Sequence, residues 1–544
     1  MKVLENSTAT NSSRSAVWNW SCVGLIPLLL VGLHWHWQQL GLAFQYDTNL
    51  YLAGAESFAQ GHGYHLTNFA GEPPIGLYPP LHSFFLSQFW STALPLEGNL
   101  QRLSTGMLLL DGTALGVMLW LMLRLRAPLL LATLVTLALG LNPAWFSCVS
   151  YFMSDLGFVA LCFGTVAIWV GGNHNAPTSR WLWTGIGLGL ANLTRTAALP
   201  IIVITAMWVL WRVRRIGWLA CGAFFLPVVA SVLLSKTFTA GGVSYGDNFR
   251  AWWPHMEQWH GYWQVMVSNL VDVLSGQYFW RTWWHPFTLV LYWFRARNPL
   301  AGACVMGVEA LFFWGLLALV FRGLCRARSI ERLVALLIVG YLGVVLVSPL
   351  PTVGNLTERY LFLTVPFAAH WAWLGLEPIL ALQSLGRMMR WLGVVISVVC
   401  VVAAGCWGMR VGLAHLTALG FWPDERLEAV AWLREHSLPE DWLAVGIDQP
   451  SMQLAAALGR PLVIDYFDAP EQAFLPIPLT HKVQGYAAAQ FLLLPANDER
   501  LSLPRKLMHE VLRTQRGNYR LLKVDSVEEK AWRIARGIPA PIGR

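Results

Sequence analysis

Apolar runs of about 20 residues, the length an α-helix needs to cross ~30 Å of hydrocarbon, recur along this chain to about residue 410 and then stop. Their periodicity and length predict about eleven spans, at 17–37, 99–123, 128–144, 153–170, 181–194, 196–211, 216–235, 298–321, 333–350, 359–380 and 391–409. The first run follows a polar start poor in Lys and Arg and has no small-residue cleavage site, so it reads as a retained signal anchor. The segment 81–95, LHSFFLSQFWSTALP, is apolar too, but counting it as a span would break the alternation of the loops, and an interfacial helix fits better. From about Phe421 the pattern changes. A helical stretch over 424–436 precedes the strand-like WLAVGI, PLVID, QFLLLP and YRLLKV, with helical segments between, which predicts a small α/β domain over 421–544.

Composition agrees with a membrane bundle over 1–410. Hydrophobic residues make up 56% of the 544 and charged residues only 12%, too apolar for a soluble chain of this length. A net charge of +8 would point to nucleic acid in a soluble protein, but here the basic residues sit in short loops between spans. With the N-terminus cytoplasmic, Arg124 and Arg126, Arg180, the triplet Arg212, Arg214 and Arg215, the group Arg322 to Arg332, and Arg387 and Arg390 all fall on the inner side. Two long loops, 38–98 and 236–297, and the C-terminal domain then lie outside the cytoplasm of a multi-pass inner-membrane protein. The 236–297 loop is rich in Trp, as in AWWPHMEQWHGYW, which suits rings at headgroup depth and also stacking on sugars. The eight cysteines all lie in or beside apolar runs and form no CxxC pattern, so neither a disulfide framework nor a zinc knuckle is expected. The C-terminal domain has neither GxGxxG nor GxxxxGK, so it lacks the usual nucleotide fingerprints.

Charged residues inside the apolar pattern mark where chemistry can sit. Asp47 opens YDTNLYLAGAESFAQGHGY at 46–64, just outside the first span, and is also placed to cap the helix that follows. Asp155 stands at the outer start of the fourth span, and Arg195 interrupts an apolar stretch in GLANLTRTAALP. Arg359 opens TERYLFLTVPF, and Arg102 lies near the start of the second span. Glu56, nine residues after Asp47, is rotated about 180° from it on an unbroken helix and reads as a solvated position. His62, His65 and His82 fit no zinc spacing and read as loop polarity. Asp111 and Glu309 lie mid-span, where an ionisable group invites a functional hypothesis such as a transporter's proton relay; no inverted repeat accompanies them, and an internal hydrogen bond or burial in the protonated form is the better reading.

The segments at 46–64 and YPPLHSFF at 78–85, followed in order by SYFMSDLGF, GLANLTRTAALP and TERYLFLTVPF, resemble the GT-C glycosyltransferases, which include protein O-mannosyltransferases and aminoarabinose transferases. The resemblance covers roughly 38–370 and implies a mainly α, polytopic bundle of GT-C type with the small C-terminal α/β domain. It also implies transfer of a sugar, with inversion, from a polyprenyl-phosphate donor to a hydroxyl of a glycan, lipid or protein at the outer face. By that analogy Asp47 activates the acceptor, Asp155 assists as a second acid, and Arg102, Arg195 and Arg359 hold the donor phosphate. A divalent ion, if the chain uses one, would take Asp47 and Asp155 as its oxygen ligands. Thr48 stands where many relatives place a second acid after the first. The competing readings are a transporter or flippase of lipid-linked sugars without transferase chemistry, and a catalytically silent relative that binds such lipids.

Overall fold

A computed structural model of the chain describes chiefly residues 24–38, 46–66, 74–94, 96–170, 178–242, 299–347 and 358–380, with shorter stretches after 428 that include five strands. The statements below concern these residues. The helices are α1 (24–38), α2 (Tyr46–Ala59), α3 (Leu81–Ser87), α4 (Leu96–Arg124), α5 (Leu129–Gly140), α6 (Pro143–Ser150), α7 (Asp155–Val170), α8 (Thr178–Thr194), α9 (Leu199–Ile216), α10 (Trp218–Phe238), α11 (Pro299–Arg326), α12 (Ser329–Val347) and α13 (Val365–Leu380).

Three of the described helices, Gly98–Arg124, Thr196–Ile216 and Trp218–Phe238, are long and apolar enough to cross a membrane, and α5 with α6 makes a fourth if the bent pair is one span. The run predicted at 128–144 is therefore not one straight helix. It ends at Gly140, turns by 58°, and continues to Ser150. Asn142 causes the restart: its side chain accepts a hydrogen bond from the Ala144 amide at 2.8 Å, and Pro143 supplies a first helical residue that needs no amide partner. A second correction concerns the runs predicted at 181–194 and 196–211, both short for a span and lying on either side of Arg195. Thr178–Thr194 has 17 residues, but the helix after the break, counted from Thr196, has 21 and is of full spanning length. The segment 81–95 contains only the seven-residue α3, about 10 Å long and far too short to span. The predicted span 391–409 and nearly all of the 236–297 loop lie outside the described residues.

The helices pack through small residues where backbones meet. A Cβ on Gly185 of α8 would lie 2.3 Å from the Phe224 carbonyl oxygen of α10, so only glycine allows that approach. Outward faces of α9 and α10 expose Met207, Trp211, Trp218 and Leu226, as expected of lipid-facing positions. The buried core runs through α4, α6 and α7, with Leu115, Met118, Trp145, Phe146 and Phe163 almost fully enclosed.

After residue 428 the strands β1 (Trp442–Gly446), β2 (Leu462–Asp465), β3 (Ala489–Pro495), β4 (Met508–Arg513) and β5 (Tyr519–Val524) form one sheet in the order β2-β1-β3-β5-β4. The first three are mutually parallel, and β5 runs antiparallel to both β3 and β4. Four of these match the predicted strands; β4, MHEVLR, carries His, Glu and Arg among its apolar residues and was not foreseen.

Candidate active site

Four of the charged residues singled out by sequence stand at helix ends, and the fold gathers them at one end of the bundle. Asp47 lies in the first turn of α2 and Asp155 opens α7, both where the helix dipole favours a carboxylate. Arg195 sits in the break between α8 and the next helical turn, with its backbone extended at φ −152°. Arg359 lies in the 3-10 turn Glu358–Leu361 that precedes α13. Arg180 marks the opposite end of α8, about 22 Å away along the helix by its rise per residue. The last turns of α4, α9 and α11 also carry basic residues, Arg124, Arg214, Arg215 and Arg326, and the last turn of α10 carries Lys236.

The four side chains alternate in sign. Arg195 is ion-paired with Asp155, Arg359 reaches Asp155 at 3.6 Å, and Arg359 also contacts Asp47 Oδ2 at 3.3 Å. The chain of charges ends at Tyr78, whose hydroxyl donates to Asp47 Oδ1 at 2.7 Å. Below both guanidinium groups lies the Tyr360 ring, 5.5 Å from Arg195 and 5.4 Å from Arg359, within cation–π range. All four charged side chains are at most 19% exposed, so the pairs are held in a poorly solvated environment where breaking one leaves an uncompensated charge. Burial opposes the charge on Arg195, but Asp155 beside it, with Tyr360 next, more than offsets this and holds the guanidinium well above its ordinary pKa.

Backbone and neutral side chains beneath the cluster fix it. Thr48, beside Asp47, donates to the Tyr151 carbonyl at 2.6 Å, and Tyr51 of the same helix is hydrogen-bonded to Ser154 at 2.7 Å. These two bonds tie α2 to the loop that leads into Asp155. Phe152 in that loop has φ 53°, a left-handed conformation that is costly for a bulky residue, on the order of 1–3 kcal/mol. Its carbonyl accepts from His82 Nε2 at 2.8 Å, and the His82 ring stands edge-on to Tyr51 at 4.8 Å. His82 is 2% exposed, so it is an interior strut and not the loop polarity that its spacing implied.

Burial pushes the His82 imidazole down to about 4, so it is neutral at pH 7. An unfolded His titrates near 6.5, and between those values the unfolded chain binds the extra proton; stability therefore falls as pH drops from about 6.5 towards 4, by up to about 3 kcal/mol. His82→Gln keeps a donor for the Phe152 carbonyl without the titration. Its thermal midpoint in detergent is expected to lose less between pH 7 and 4.5 than that of the unsubstituted chain, and equal slopes would contradict the assignment.

Three further expectations for the site change. Asp47 was expected to cap α2, but the helix already begins at Tyr46, and the carboxylate engages Tyr78 and Arg359 instead. Arg102 stands apart from the cluster: it is exposed and donates to the Phe89 carbonyl at 3.0 Å. Glu56 also points away, bonded to Gln60 at 3.2 Å, as its rotation from Asp47 implied. The pair Asp47 and Asp155 does not fit a bridging divalent ion, because the Arg359 guanidinium contacts both carboxylates and takes the place such an ion would need. Among the described residues no three His, Cys, Asp or Glu side chains converge as a metal set. The sequence gives no signal for the roles of Tyr78 and Tyr360, although YPPLHSFF and TERYLFLTVPF contain them.

No family model matches the sequence, and no curated protein matches it. Solved structures do. The crystal structure of ArnT from Cupriavidus metallidurans bound to undecaprenyl phosphate is similar with a TM-score of 0.57 at 15% identity, covering 93% of this chain and 98% of that one. The apo state of the same protein is similar with a TM-score of 0.53, also at 15% identity and with the same coverage. At that identity the likeness is one of architecture, and it spans nearly the whole of both chains. The chain therefore shares the fold of these two structures over nearly its whole length.

Proposed function

We propose that this chain is a membrane glycosyltransferase that moves a sugar from a polyprenyl-phosphate donor to a hydroxyl acceptor, with inversion at the anomeric carbon. One observation carries the reading: within a GT-C fold, Asp47, Arg359, Asp155 and Arg195 form a contiguous cluster at one end of the bundle. An alcohol is a poor nucleophile until a base takes its proton, and a phosphate leaving group needs its charge met as the bond breaks. The cluster holds groups for both tasks. ArnT in complex with undecaprenyl phosphate supports a donor of that lipid class.

In the reaction we assign, Asp47 takes the acceptor hydroxyl proton as that oxygen attacks the anomeric carbon. The bond from that carbon to the phosphate oxygen breaks with its electron pair on the phosphate, and polyprenyl phosphate leaves. A single displacement inverts the carbon. Arg359 and Arg195 meet the phosphate charge, and Asp155, between them, holds both guanidinium groups in place. Arg359 is shared between Asp47 and the phosphate, so donor binding draws it from Asp47 Oδ2 and frees that oxygen to act as the base. Tyr78 keeps the other oxygen fixed throughout. Retention of the donor sugar on its lipid when purified protein, donor and acceptor are incubated together would contradict this reading.

The site faces outward in this proposal, with the N-terminus in the cytoplasm, residues 1–410 as the membrane domain and 421–544 as an extracytoplasmic α/β domain. The basic ends of α4, α9 and α11 support that orientation. A reporter fused after Gly420 is expected to give an external signal. A cytoplasmic signal would shift the span count by one.

A further inference from the structure

Deep in the bundle, four helices meet at a polar group that the proposed reaction does not use. Asp111, in the middle of α4 and fully buried, accepts from Trp145 Nε1 of α6 at 2.7 Å through Oδ1 and is hydrogen-bonded to His34 Nδ1 of α1 at 2.7 Å through Oδ2. The other ring nitrogen of His34, Nε2, meets the carbonyl of Gly140 at 2.7 Å. Gly140 is the last residue of α5, so its carbonyl lies at the helix end, where carbonyls lack intrahelical partners. His34 and Asp111 thus grip the 58° bend from both sides, one holding the end of α5 and the other the start of α6.

Donor and acceptor chemistry fixes the proton count. A carbonyl only accepts, so Nε2 carries hydrogen; an indole N–H only donates, so Oδ1 accepts. A single proton then lies between His34 Nδ1 and Asp111 Oδ2, and the pair is neutral overall whichever atom holds it. That neutrality explains how an acid survives in an apolar helix without an opposing arginine.

The bend is coupled to the site. The Trp145 ring packs on Phe362 at 5.1 Å, and the Phe362 amide bonds the Arg359 carbonyl at 3.4 Å, so the indole supports the turn that carries Arg359. At its far end α6 runs into Tyr151, Phe152 and Ser154, the residues that hold Thr48, His82 and Tyr51 and lead to Asp155. We propose that Asp111 is a positioning residue: with His34 it sets the angle between α5 and α6, and through Trp145 it places Arg359 and the Asp155 loop for the lipid phosphate. This inference rests on the transferase reading for its functional consequence, while its structural consequence stands apart from it.

Asp111→Asn separates positioning from proton movement. An amide can accept from Trp145 and donate to a neutral His34 Nδ1, so every bond survives without an ionisable acid. Binding of undecaprenyl phosphate and transfer are both expected to stay within about threefold of the unsubstituted chain. Asp111→Leu, which removes both bonds, and Trp145→Phe, which removes only the indole donor and serves if the Leu variant does not fold, are each expected to weaken undecaprenyl phosphate binding about tenfold or more. Cryo-EM of the same variants reads the geometry without any substrate: the 358–361 turn is expected to move away from Asp47 in Asp111→Leu or Trp145→Phe and to stay in Asp111→Asn. Loss of binding or a displaced turn in a well-folded Asn variant would overturn the proposal and favour a proton-carrying role. An unmoved turn with native binding in the Leu and Phe variants would overturn it equally. A chain that transfers nothing in its unsubstituted form would count against the transferase reading, and the position of the turn would still decide this one.

Discussion

Asp47→Asn is expected to abolish sugar transfer while the protein stays folded and still binds its donor lipid. The amide oxygen can accept from the Tyr78 hydroxyl as Oδ1 does now, and Arg359, which loses the charge of Asp47, keeps Asp155 as its counter-charge. What disappears is the ability to take a proton, which in general-base steps contributes about 10²–10⁴ in rate. Single-turnover transfer, measured beside thermal stability in the same detergent, is the check. A folded Asn variant with near-native turnover would leave Asp47 as a structural partner of Arg359 and make Asp155 the next carboxylate to test as base.

Arg359→Gln is expected to fail in two ways, because this side chain faces Asp47 and Asp155 at once. Removing one partner of a buried ion pair leaves the other uncompensated, at about 3–5 kcal/mol. Arg359→Lys restores a positive charge but not the planar fork that reaches both acids, so it should recover stability more than turnover. Among variants that fold, donor-lipid binding should suffer more than acceptor binding, and the same order is expected for Arg195→Ala. Normal binding of lipid phosphate with a collapsed acceptor affinity would contradict the assignment of these arginines to the leaving group.

The site was legible in the sequence to the extent that its charges interrupt an apolar pattern. Asp47 follows the first apolar run, Asp155 and Arg359 stand at the starts of later ones, and Arg195 interrupts another. The ion pair between Asp47 and Arg359 joins residues 312 positions apart, and no local periodicity records such a pairing. For the same reason His82 looked like a polar loop residue. Its partner, the Phe152 carbonyl, is a backbone group on another segment. Arg102 satisfied the same local rule as the other arginines and yet turned outward, because the Phe89 carbonyl near it offers an acceptor.

The fold was legible in its helical runs and less so in its breaks. Asn142 and Pro143 carry a helix-start signal inside an apolar stretch, and weighing hydrophobicity alone over 128–144 hid the bend they make. Asp111 shows the limit of reading a mid-span acid as a relay. Its neutralising partner, His34, lies on α1, and the indole that fills its second oxygen lies on α6. Without those two contacts, an acid in hydrocarbon invites a transport hypothesis; with them, it is an interior joint.

The most direct test of the transferase reading uses the purified protein in proteoliposomes with a polyprenyl-phosphate sugar labelled at the anomeric carbon and a hydroxyl acceptor. The account predicts a new glycosidic bond at the labelled carbon, of inverted configuration, with one polyprenyl phosphate released per sugar moved. Recovery of intact donor lipid, redistributed between the leaflets with no new glycosidic bond, would contradict it and identify a flippase.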